Sequence, residues 1–312
     1  MELLIYLILF LLVLIVSSTT NKLLPFLPLP LVQILLGIVI GLFLPNTDFH
    51  LNTELFLALV IGPLLFRESE EADITAILKH WRIIVYLIFP VIFISTLSLG
   101  GLAHLLWLSL PLAACLAVGA ALGPTDLVAF ASLSERFSFP KRVSNILKGE
   151  GLLNDASGLV AFQVALTAWT TGAFSLGQAS SSLIFSILGG FLIGFLTAMT
   201  NRFLHSFLLS VRATDIASEL LLELSLPLVT FFLAEEVHVS GIIAVVVAGI
   251  LKASRFKKIT LLEAQVDTVT ETVWHTVNFM LNGSVFVILG MELEMIAEPI
   301  LTNPIYNPLL LL

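Results

Sequence analysis

Charged residues are scarce in this sequence. Asp, Glu, Lys and Arg together make up 12% of the 312 residues, whereas hydrophobic residues make up 58% and the mean hydropathy is +1.06. An ordinary soluble domain carries about 25% charged residues and about 45–50% apolar ones. The composition therefore excludes an ordinary soluble globular protein and predicts a polytopic membrane protein, whose number of domains does not follow from its length.

Cysteine is almost absent, and acidic residues outnumber basic ones. The single cysteine, Cys115, lies in an apolar run, which excludes a disulfide framework within the chain and a metal site built from cysteines. The net charge of −8 argues against nucleic acid as a partner, because nucleic acid attracts basic surfaces. Membrane lipid is the expected surrounding of the chain.

Apolar runs of roughly membrane length follow one another along the chain. With about 20 apolar residues as the unit, we predict ten transmembrane segments within a single transmembrane domain that comprises residues 1–312. The segments are 3–19, 29–45, 54–66, 82–104, 107–133, 150–172, 181–204, 216–235, 238–252 and 272–292. The first is interpreted as a retained helix rather than a signal peptide, because no Lys or Arg precedes it.

Basic residues test this segmentation independently. All 14 Lys and Arg residues fall in odd-numbered loops between the predicted segments or at the segment ends that adjoin those loops, where Arg82, Arg202 and Lys252 lie. Basic loops remain in the cytoplasm, and an error of one segment would have scattered these charges over both sides. We therefore predict a multi-pass protein of the inner (plasma) membrane, with its N-terminus outside and its basic loops in the cytoplasm.

Two pairs of segments resemble each other. Residues 31–45 resemble residues 241–251, and residues 56–66 loosely match residues 277–290. The second segment thus pairs with the ninth and the third with the tenth, an offset of seven segments. Because seven is odd, the two copies would cross the membrane in opposite directions. Such inverted repeats are typical of secondary transporters.

A polar group interrupts the fifth segment, in the stretch AALGPTDLVAF at 120–130. The Gly123-Pro124 pair predicts a helix break, because proline lacks the N–H and crowds the preceding turn. Backbone groups freed at membrane depth persist only where protein or a wet cavity surrounds them. The break would bring together carbonyl oxygens, the Thr125 hydroxyl and the Asp126 carboxylate, which are ligands that hard cations prefer. The alternative is a proline kink with Asp126 as a cap of the following half-helix.

The sixth segment begins with GEGLLNDASGLVAF, residues 149–162. Glu150 and Asn154 are four residues apart and share a helix face, while Asp155 points about 100° away. A carboxylate within a membrane segment is a functional hypothesis by default. Proton and cation would compete for the same oxygens of Asp155, which suffices for exchange. In the alternative interpretation, Glu150 and Asp155 form an acidic helix start that complements the helix dipole.

Other ionisable residues have simpler interpretations. Glu219 and Glu223 begin the eighth segment, and we expect them to face other helices or the interface. Arg67 and the acidic residues that follow it are most simply a solvated inner loop, although Arg67 is close enough to the core to pair with a buried acid. The acidic residues are Glu68, Glu70, Glu71 and Asp73.

Thr125-Asp126 in a broken helix, followed by Glu150 and Asn154-Asp155 on the next helix, resembles the monovalent cation/proton antiporter-1 family, the NhaP-type sodium/proton exchangers. The resemblance extends in order over nearly the whole chain. It includes LVQILLGIVIGL (31–42), GPLLFRES (62–69), AEEVHVSGIIAVVVAGI (234–250) and FMLNGSVFVILGMEL (279–293). It implies an all-α inverted-repeat antiporter fold with a discontinuous helix at the ion site. It also implies a homodimer that works by alternating access of a core bundle against a dimerisation scaffold.

The resemblance also implies roles for individual residues. Asp155 would alternately bind cation and proton, and Asp126 and Thr125 would add cation ligands directly or through water, so that Na+ is held transiently by these three. Asn154 would help to hold the helix of Asp126, and Glu150 would be a structural ion-pair partner.

The Asn-Asp pair implies electroneutral exchange of one cation for one proton. The transported ions are Na+, with K+ and Li+ as alternatives, and H+, and no cofactor is expected. Gly151 stands where some family members have serine, which leaves the cation preference open.

After the tenth segment the sequence reads MIAEPILTNPIYNPLLLL, where family members continue with further helices. By this resemblance, we expect the family's last helices to be missing, with the second broken helix and the basic partner of Glu150 among them. One alternative function is therefore a nonfunctional truncated remnant of an antiporter. A second is an intramembrane aspartyl hydrolase with Asp126 and Asp155 as a carboxylate dyad, although the Gly-x-Gly-Asp context of such enzymes is absent.

Overall fold

The structure of the chain is a computed structural model that describes residues 2–24, 26–43, 52–124, 139–171, 176–211, 215–253 and 261–302. These residues form α-helices joined by short turns, and the described ranges contain no strand. The helices are α1 (Glu2–Leu23), α2 (Leu29–Phe43), α3 (Thr53–Phe56), α4 (Gly62–Glu71), α5 (Ile74–Tyr86), α6 (Ile92–Leu106), α7 (Leu112–Leu122), α8 (Lys141–Thr171), α9 (Leu176–Ser210), α10 (Ile216–Glu236), α11 (Gly241–Ala253) and α12 (Leu261–Thr302). The predicted all-α fold class is confirmed, and each of the ten predicted segments has a helical counterpart.

Two of the predicted segments are helices with a π-helical turn inside them. The turn Leu57–Ile61 joins α3 to α4, and the turn Leu87–Val91 joins α5 to α6. Pro90 lies within the second turn, and Pro63 follows the first. A proline cannot donate to the carbonyl four residues earlier and crowds it, and a π-helical turn relieves that crowding by inserting an extra residue. These segments therefore continue through their prolines.

Membrane-spanning length is clearest in the second half of the chain. Among the described residues, three helical stretches are long and apolar enough to cross a membrane, namely Phe185–Ser210, Ile216–Glu236 and Gln265–Leu293. Shorter apolar helical stretches of 10–17 residues are Ile8–Leu23, Leu29–Leu42, Ile92–Leu106, Leu112–Leu122 and Gly241–Ala253. These shorter stretches include the second and ninth predicted segments, which the sequence already marks as short.

One compact unit contains the described residues of 1–64 together with those from 267 onward. Helix α1 packs along α2, and α2 packs against α12 at two glycines. A Cβ on Gly37 would overlap the carbonyl oxygen of Val287, and a Cβ on Gly290 would overlap that of Ile34. Small residues allow this close approach of helix backbones, as is common in membrane proteins.

The second compact unit contains the described residues of 65–266. Helix α7 packs against α6 and α8, α5 packs against α8, and α9, α10 and α11 pack against one another. Small side chains such as Ala234, Ala244 and Val245 are fully buried. Large apolar side chains lie on the outside, as shown by Phe185, which is 66% exposed, and Leu188, which is 64% exposed. An apolar exterior around a core of small residues suits a helical protein surrounded by lipid.

An ion-pair cluster within the second unit joins three helices. Lys252 Nζ on α11 lies 2.9 Å from Glu223 Oε2 on α10 and 3.3 Å from Glu70 Oε1 on α4. Arg67 contributes contacts of 2.9 Å to Glu70 and 2.7 Å to Glu71 on its own helix. The side chains of Lys252, Glu223 and Glu70 are only 11%, 14% and 15% exposed.

The expectation of a solvated inner loop is therefore wrong for Arg67 and Glu70, whereas Glu71 and Asp73 are exposed as expected. The segment from Gly62 to Glu71 continues as helix α4, and Lys252 approaches Glu70 from another helix. The prediction that Glu223 faces another helix is confirmed. Gly249 lies one turn before Lys252, and a Cβ there would come within 2.6 Å of the Phe66 carbonyl oxygen. This glycine lets α11 approach α4 closely enough for the ion pair to form.

The cluster yields a stability prediction. Lys252→Met removes the ammonium that two largely buried carboxylates share, and we expect a loss of about 3 kcal/mol, since breaking a buried ion pair leaves charge uncompensated. The measurement is the unfolding midpoint of the purified chain in detergent. Lys22→Met is the matched control, because Lys22 is exposed and such surface changes stay within about 0.5 kcal/mol. Equal midpoints for the two variants would contradict a stabilising role of the cluster.

Candidate cation and proton site

Helix α8 carries the polar stretch singled out in the sequence. It begins at Lys141, directly after Pro140, whose carbonyl accepts a hydrogen bond from Ser144 N at 3.1 Å. Glu150 is therefore the tenth residue of the helix and lies about 14 Å along its axis from Lys141. The influence of the helix dipole falls off within the first turn. The interpretation of Glu150 and Asp155 as an acidic helix start is thus wrong, because the helix begins nine residues earlier than the apolar pattern indicates.

Glu150 and Asn154 form a hydrogen-bonded pair on one face of α8. Asn154 Nδ2 donates to Glu150 Oε1 at 2.8 Å, and the two residues are 1% and 6% exposed, respectively. The predicted shared face is confirmed. A buried carboxylate is costly unless it is hydrogen-bonded, so the amide both stabilises Glu150 and fixes its orientation.

A helix ends where the Gly123-Pro124 pair predicts a break, and the other side of the predicted break lies in residues 125–138, outside the described residues. Helix α7 ends at Leu122, and the structure describes the chain up to Pro124. The ring of Pro124 contacts Gly158 on α8 so closely that a Cβ on Gly158 would overlap Pro124 Cγ. Gly158 lies one turn after Asn154 on the helix. The end of α7 is therefore held against the part of α8 that carries the polar stretch.

The remaining predicted site residues are only partly within the structure's description. Asp155 occupies its position in α8 directly after Asn154, and its side chain lies outside the described part. Thr125 and Asp126 follow Pro124 and lie in residues 125–138, outside the described residues. The described part of the site therefore consists of the end of α7, helix α8, the contact between Pro124 and Gly158, and the Glu150–Asn154 hydrogen bond.

A second buried polar pair links α9 and α10. His205 Nδ1 lies 2.8 Å and 2.7 Å from the two carboxylate oxygens of Glu219, and the side chains are 19% and 10% exposed. The expectation that Glu219 faces another helix is confirmed, but its partner His205 was missed. The sequence could have indicated this partner. His205 lies a few residues before the end of α9 and Glu219 a few residues after the start of α10, and two consecutive antiparallel helices bring such positions next to each other.

The turn before α10 is set by a capping residue. Asp215 Oδ1 accepts a hydrogen bond from the backbone N–H of Ser218 at 2.8 Å, as expected of an aspartate at a helix N-cap. The Ser218 hydroxyl also donates to this oxygen. These hydrogen bonds favour the ionised form and hold the pKa of Asp215 below its usual value.

Comparison with known proteins gives one consistent picture. The sodium, potassium, lithium and rubidium/H+ antiporter of Bacillus subtilis is 38% identical to this chain over 278 residues, which is 89% of this chain and 42% of the relative. The antiporter of the same name from Bacillus pumilus is 36% identical over 301 residues, covering 96% of this chain and 45% of the relative. The chain therefore spans less than half the length of these two relatives.

Among solved structures, the sodium/proton antiporter of Methanocaldococcus jannaschii has a similar fold. The TM-score is 0.71 at 21% identity, and the match covers 93% of this chain and 71% of that one. This similarity confirms the predicted antiporter fold. All three proteins are named as antiporters.

The family itself follows from a match along the sequence. Residues 7–312 match the family described as sodium/hydrogen exchanger, transmembrane. The match includes both parts of the candidate site and nearly all of the helices described above, and it confirms the resemblance inferred from the motifs. The chain belongs to the sodium/hydrogen exchanger family of transmembrane proteins.

Proposed function

We propose that this chain exchanges a monovalent cation for a proton across the inner (plasma) membrane, with Asp155 as the group that alternately binds the two. The observation that carries the proposal is the contact of the Pro124 ring with Gly158. It holds the end of α7 beside the turn of α8 that contains Asn154 and Asp155. Family membership supports the proposed class of reaction, and this contact supports the proposed location of the site.

Covalent geometry limits how far the second carboxylate can lie from this contact. Consecutive Cα atoms are about 3.8 Å apart, so the Cα of Asp126 lies at most about 7.6 Å from that of Pro124. Asp155 precedes Gly158 by three residues, which is a rise of about 4.5 Å along α8. These limits are compatible with a cation shared by Thr125, Asp126 and Asp155, all three of which offer the oxygen ligands that hard cations prefer.

The exchange follows from competition for one carboxylate. A cation bound by Asp155 must leave before a proton can neutralise the same oxygens, and the proton must leave before the next cation binds. Alternating access of this group to the two sides converts the competition into coupled transport. If one cation replaces one proton, each half-cycle carries the same charge and the exchange is electroneutral.

The Glu150–Asn154 pair supports this group without binding the ion. The 2.8 Å hydrogen bond occupies one oxygen of Glu150 and orients the amide directly before Asp155. Both residues are buried, so their position is set by packing as well as by the hydrogen bond. We propose that the pair fixes the rotation of α8 about its axis, and with it the position from which Asp155 projects.

The cations we propose are Na+, K+ and Li+, which are among the ions named for the Bacillus relatives. We further propose that residues 1–312 act as one transmembrane domain, that the protein is a homodimer in lipid, and that its basic loops face the cytoplasm. The last proposal rests on the placement of all Lys and Arg residues in odd-numbered loops.

The central test is Asp155→Asn, which keeps the size of the side chain and removes its charge and its exchangeable proton. We expect cation-driven proton movement to fall to the level of vesicles without the protein. The measurement is the fluorescence change of a pH-sensitive dye in everted membrane vesicles after addition of NaCl, KCl or LiCl. Glu54→Gln, at an exposed position of α3, is the control and should transport as the unaltered chain does.

Retained flux in Asp155→Asn would rule out Asp155 as the exchanging group. The residue aligned with Asp155 in the Bacillus subtilis relative should be changed in parallel. Loss of flux there, with no flux from the unaltered 312-residue chain, would support the role of the residue and contradict transport by this chain alone.

The supporting role of the Glu150–Asn154 pair is tested by a double-mutant cycle. We expect Asn154→Ala and Glu150→Ala to be coupled by about 1.5 kcal/mol in unfolding free energy, since a hydrogen bond to a carboxylate is stronger than a neutral one. Unfolding of the purified protein in detergent gives the four values. Asn154→Ala combined with Thr230→Ala on α10 is the control cycle and should be additive. Additivity of the Glu150–Asn154 cycle within about 0.5 kcal/mol would contradict the pair.

A further inference from the structure

Two neighbouring cavities lie beside the middle of helix α5 and the beginning of helix α8, within the second unit. One has a volume of about 350 Å³ and is lined by Lys79, His80, Lys141, Arg142 and Asn145. The other has a volume of about 430 Å³ and is lined by Lys79, His80, Trp81, Arg82, Ile83 and Arg142. Lys79, His80 and Arg142 line both, so we treat the two as one site and call it the basic cavity.

The lining of the basic cavity has one sign of charge. Among the described residues, this lining includes four cations, from Lys79, Arg82, Lys141 and Arg142, and no acidic residue, in a chain whose net charge is −8. Within the part of the chain that the structure describes, none of these four side chains belongs to a salt bridge. Arg82 makes a cation–π contact with the Trp81 ring, at 5.7 Å from guanidinium carbon to ring centroid. The cations are therefore available to an anion.

The chemistry of the lining suits phosphate. Arginine can hold two phosphate oxygens at once, and lysine adds point charge. The Asn145 amide and the His80 ring add hydrogen-bond donors, and both residues are half-buried. The cavity volumes fall within the range of about 300–1,000 Å³ that is usual for small-molecule sites. Lys79 and Arg82 lie on α5, and Lys141 and Arg142 lie on α8. These two helices pack against each other, so a phosphate would be held from two sides.

The surroundings of the cavity distinguish a lipid from free phosphate. Trp81 is 53% exposed beside it, and Tyr86, one turn further along α5, is 74% exposed. Ile83 and Val85, between them, are each 38% exposed. In a transmembrane protein such an exposed apolar surface faces lipid, and Trp and Tyr are enriched at the level of the lipid head groups. The basic residues lie on the side that the charge pattern predicts to be cytoplasmic, where anionic lipids concentrate.

We propose that the basic cavity binds the phosphate head group of an anionic phospholipid of the cytoplasmic leaflet, with its acyl chains along the exposed apolar surface of α5. The phosphate is held by Lys79 and Arg142, with Lys141 and Arg82 on either side. This site is separate from the candidate ion site and does not depend on transport activity. The lipid head group thereby connects the start of α8 to α5 through contacts with their basic side chains.

The test compares lipid binding to the purified 312-residue chain in detergent by native mass spectrometry. Dioleoyl phosphatidylglycerol and dioleoyl phosphatidylcholine have the same acyl chains and differ in net charge. We expect the chain to prefer phosphatidylglycerol and Lys79→Gln/Arg142→Gln to lose affinity for it on the order of 25-fold, since each basic residue near an anionic membrane surface contributes about fivefold. Affinity for phosphatidylcholine should not change.

Two control variants make the outcome specific. Lys22→Gln/Arg202→Gln removes the same charge from other loops of the same predicted side and should change the affinity less than about twofold. Lys79→Arg/Arg142→Lys keeps the charge and should retain the preference, which separates loss of binding from misfolding. An equal loss in the Lys22/Arg202 variant, or no loss in Lys79→Gln/Arg142→Gln, would overturn the proposal. Displacement of phosphatidylglycerol by an equal concentration of inorganic phosphate would overturn the lipid as the occupant.

Discussion

A proline ring at the end of α7 occupies the space that any side chain at position 158 of α8 would need. This contact is the constraint on which the candidate site depends. Proline ends the regular hydrogen bonding of α7, and glycine lets the broken end approach the α8 backbone. The proline lies at the end of α7 and the glycine lies on α8, and the close contact needs both residues. A larger residue at 158 would push the break away from the polar turn of α8.

The same unit buries several of its other polar groups in pairs or small clusters. Glu150 bonds to Asn154, Glu219 to His205, and Lys252 lies between Glu70 and Glu223. Two hydroxyl groups, of Thr230 and Thr197, are joined at 3.0 Å between α10 and α9. In surroundings that cannot solvate them, polar groups are costly unless they are paired within the protein. These pairs lie between helices or along one face, so they fix the rotation of the helices as well as compensating charge.

The sequence predicts the elements of this fold better than their contacts. Apolar runs located all ten segments, and the i, i+4 spacing placed Glu150 and Asn154 on one face. The start of α8 at Lys141 was missed because membrane-length patterns count apolar residues, whereas this helix begins with a polar and basic stretch. The position of Lys252 between Glu70 and Glu223, and of Pro124 on Gly158, depends on how separate helices pack. Nothing in the local pattern specifies that register, although the antiparallel spacing around the 211–215 turn would have indicated His205 and Glu219.

Helix α8 relates the basic cavity to the candidate site through simple geometry. Lys141 and Arg142 line the cavity at its beginning, and Asp155 follows Lys141 by about 21 Å of helix rise. A bilayer has a hydrocarbon core of about 30 Å and a head-group layer of about 6 Å on each side. If Lys141 lies at the outer edge of the head groups and α8 runs along the membrane normal, the backbone of Asp155 is about 15 Å into the hydrocarbon, at the midplane. Sites of secondary transporters lie at this depth. An anionic lipid bound to the start of α8 would therefore fix the depth of Asp155 as well as the position of the helix end.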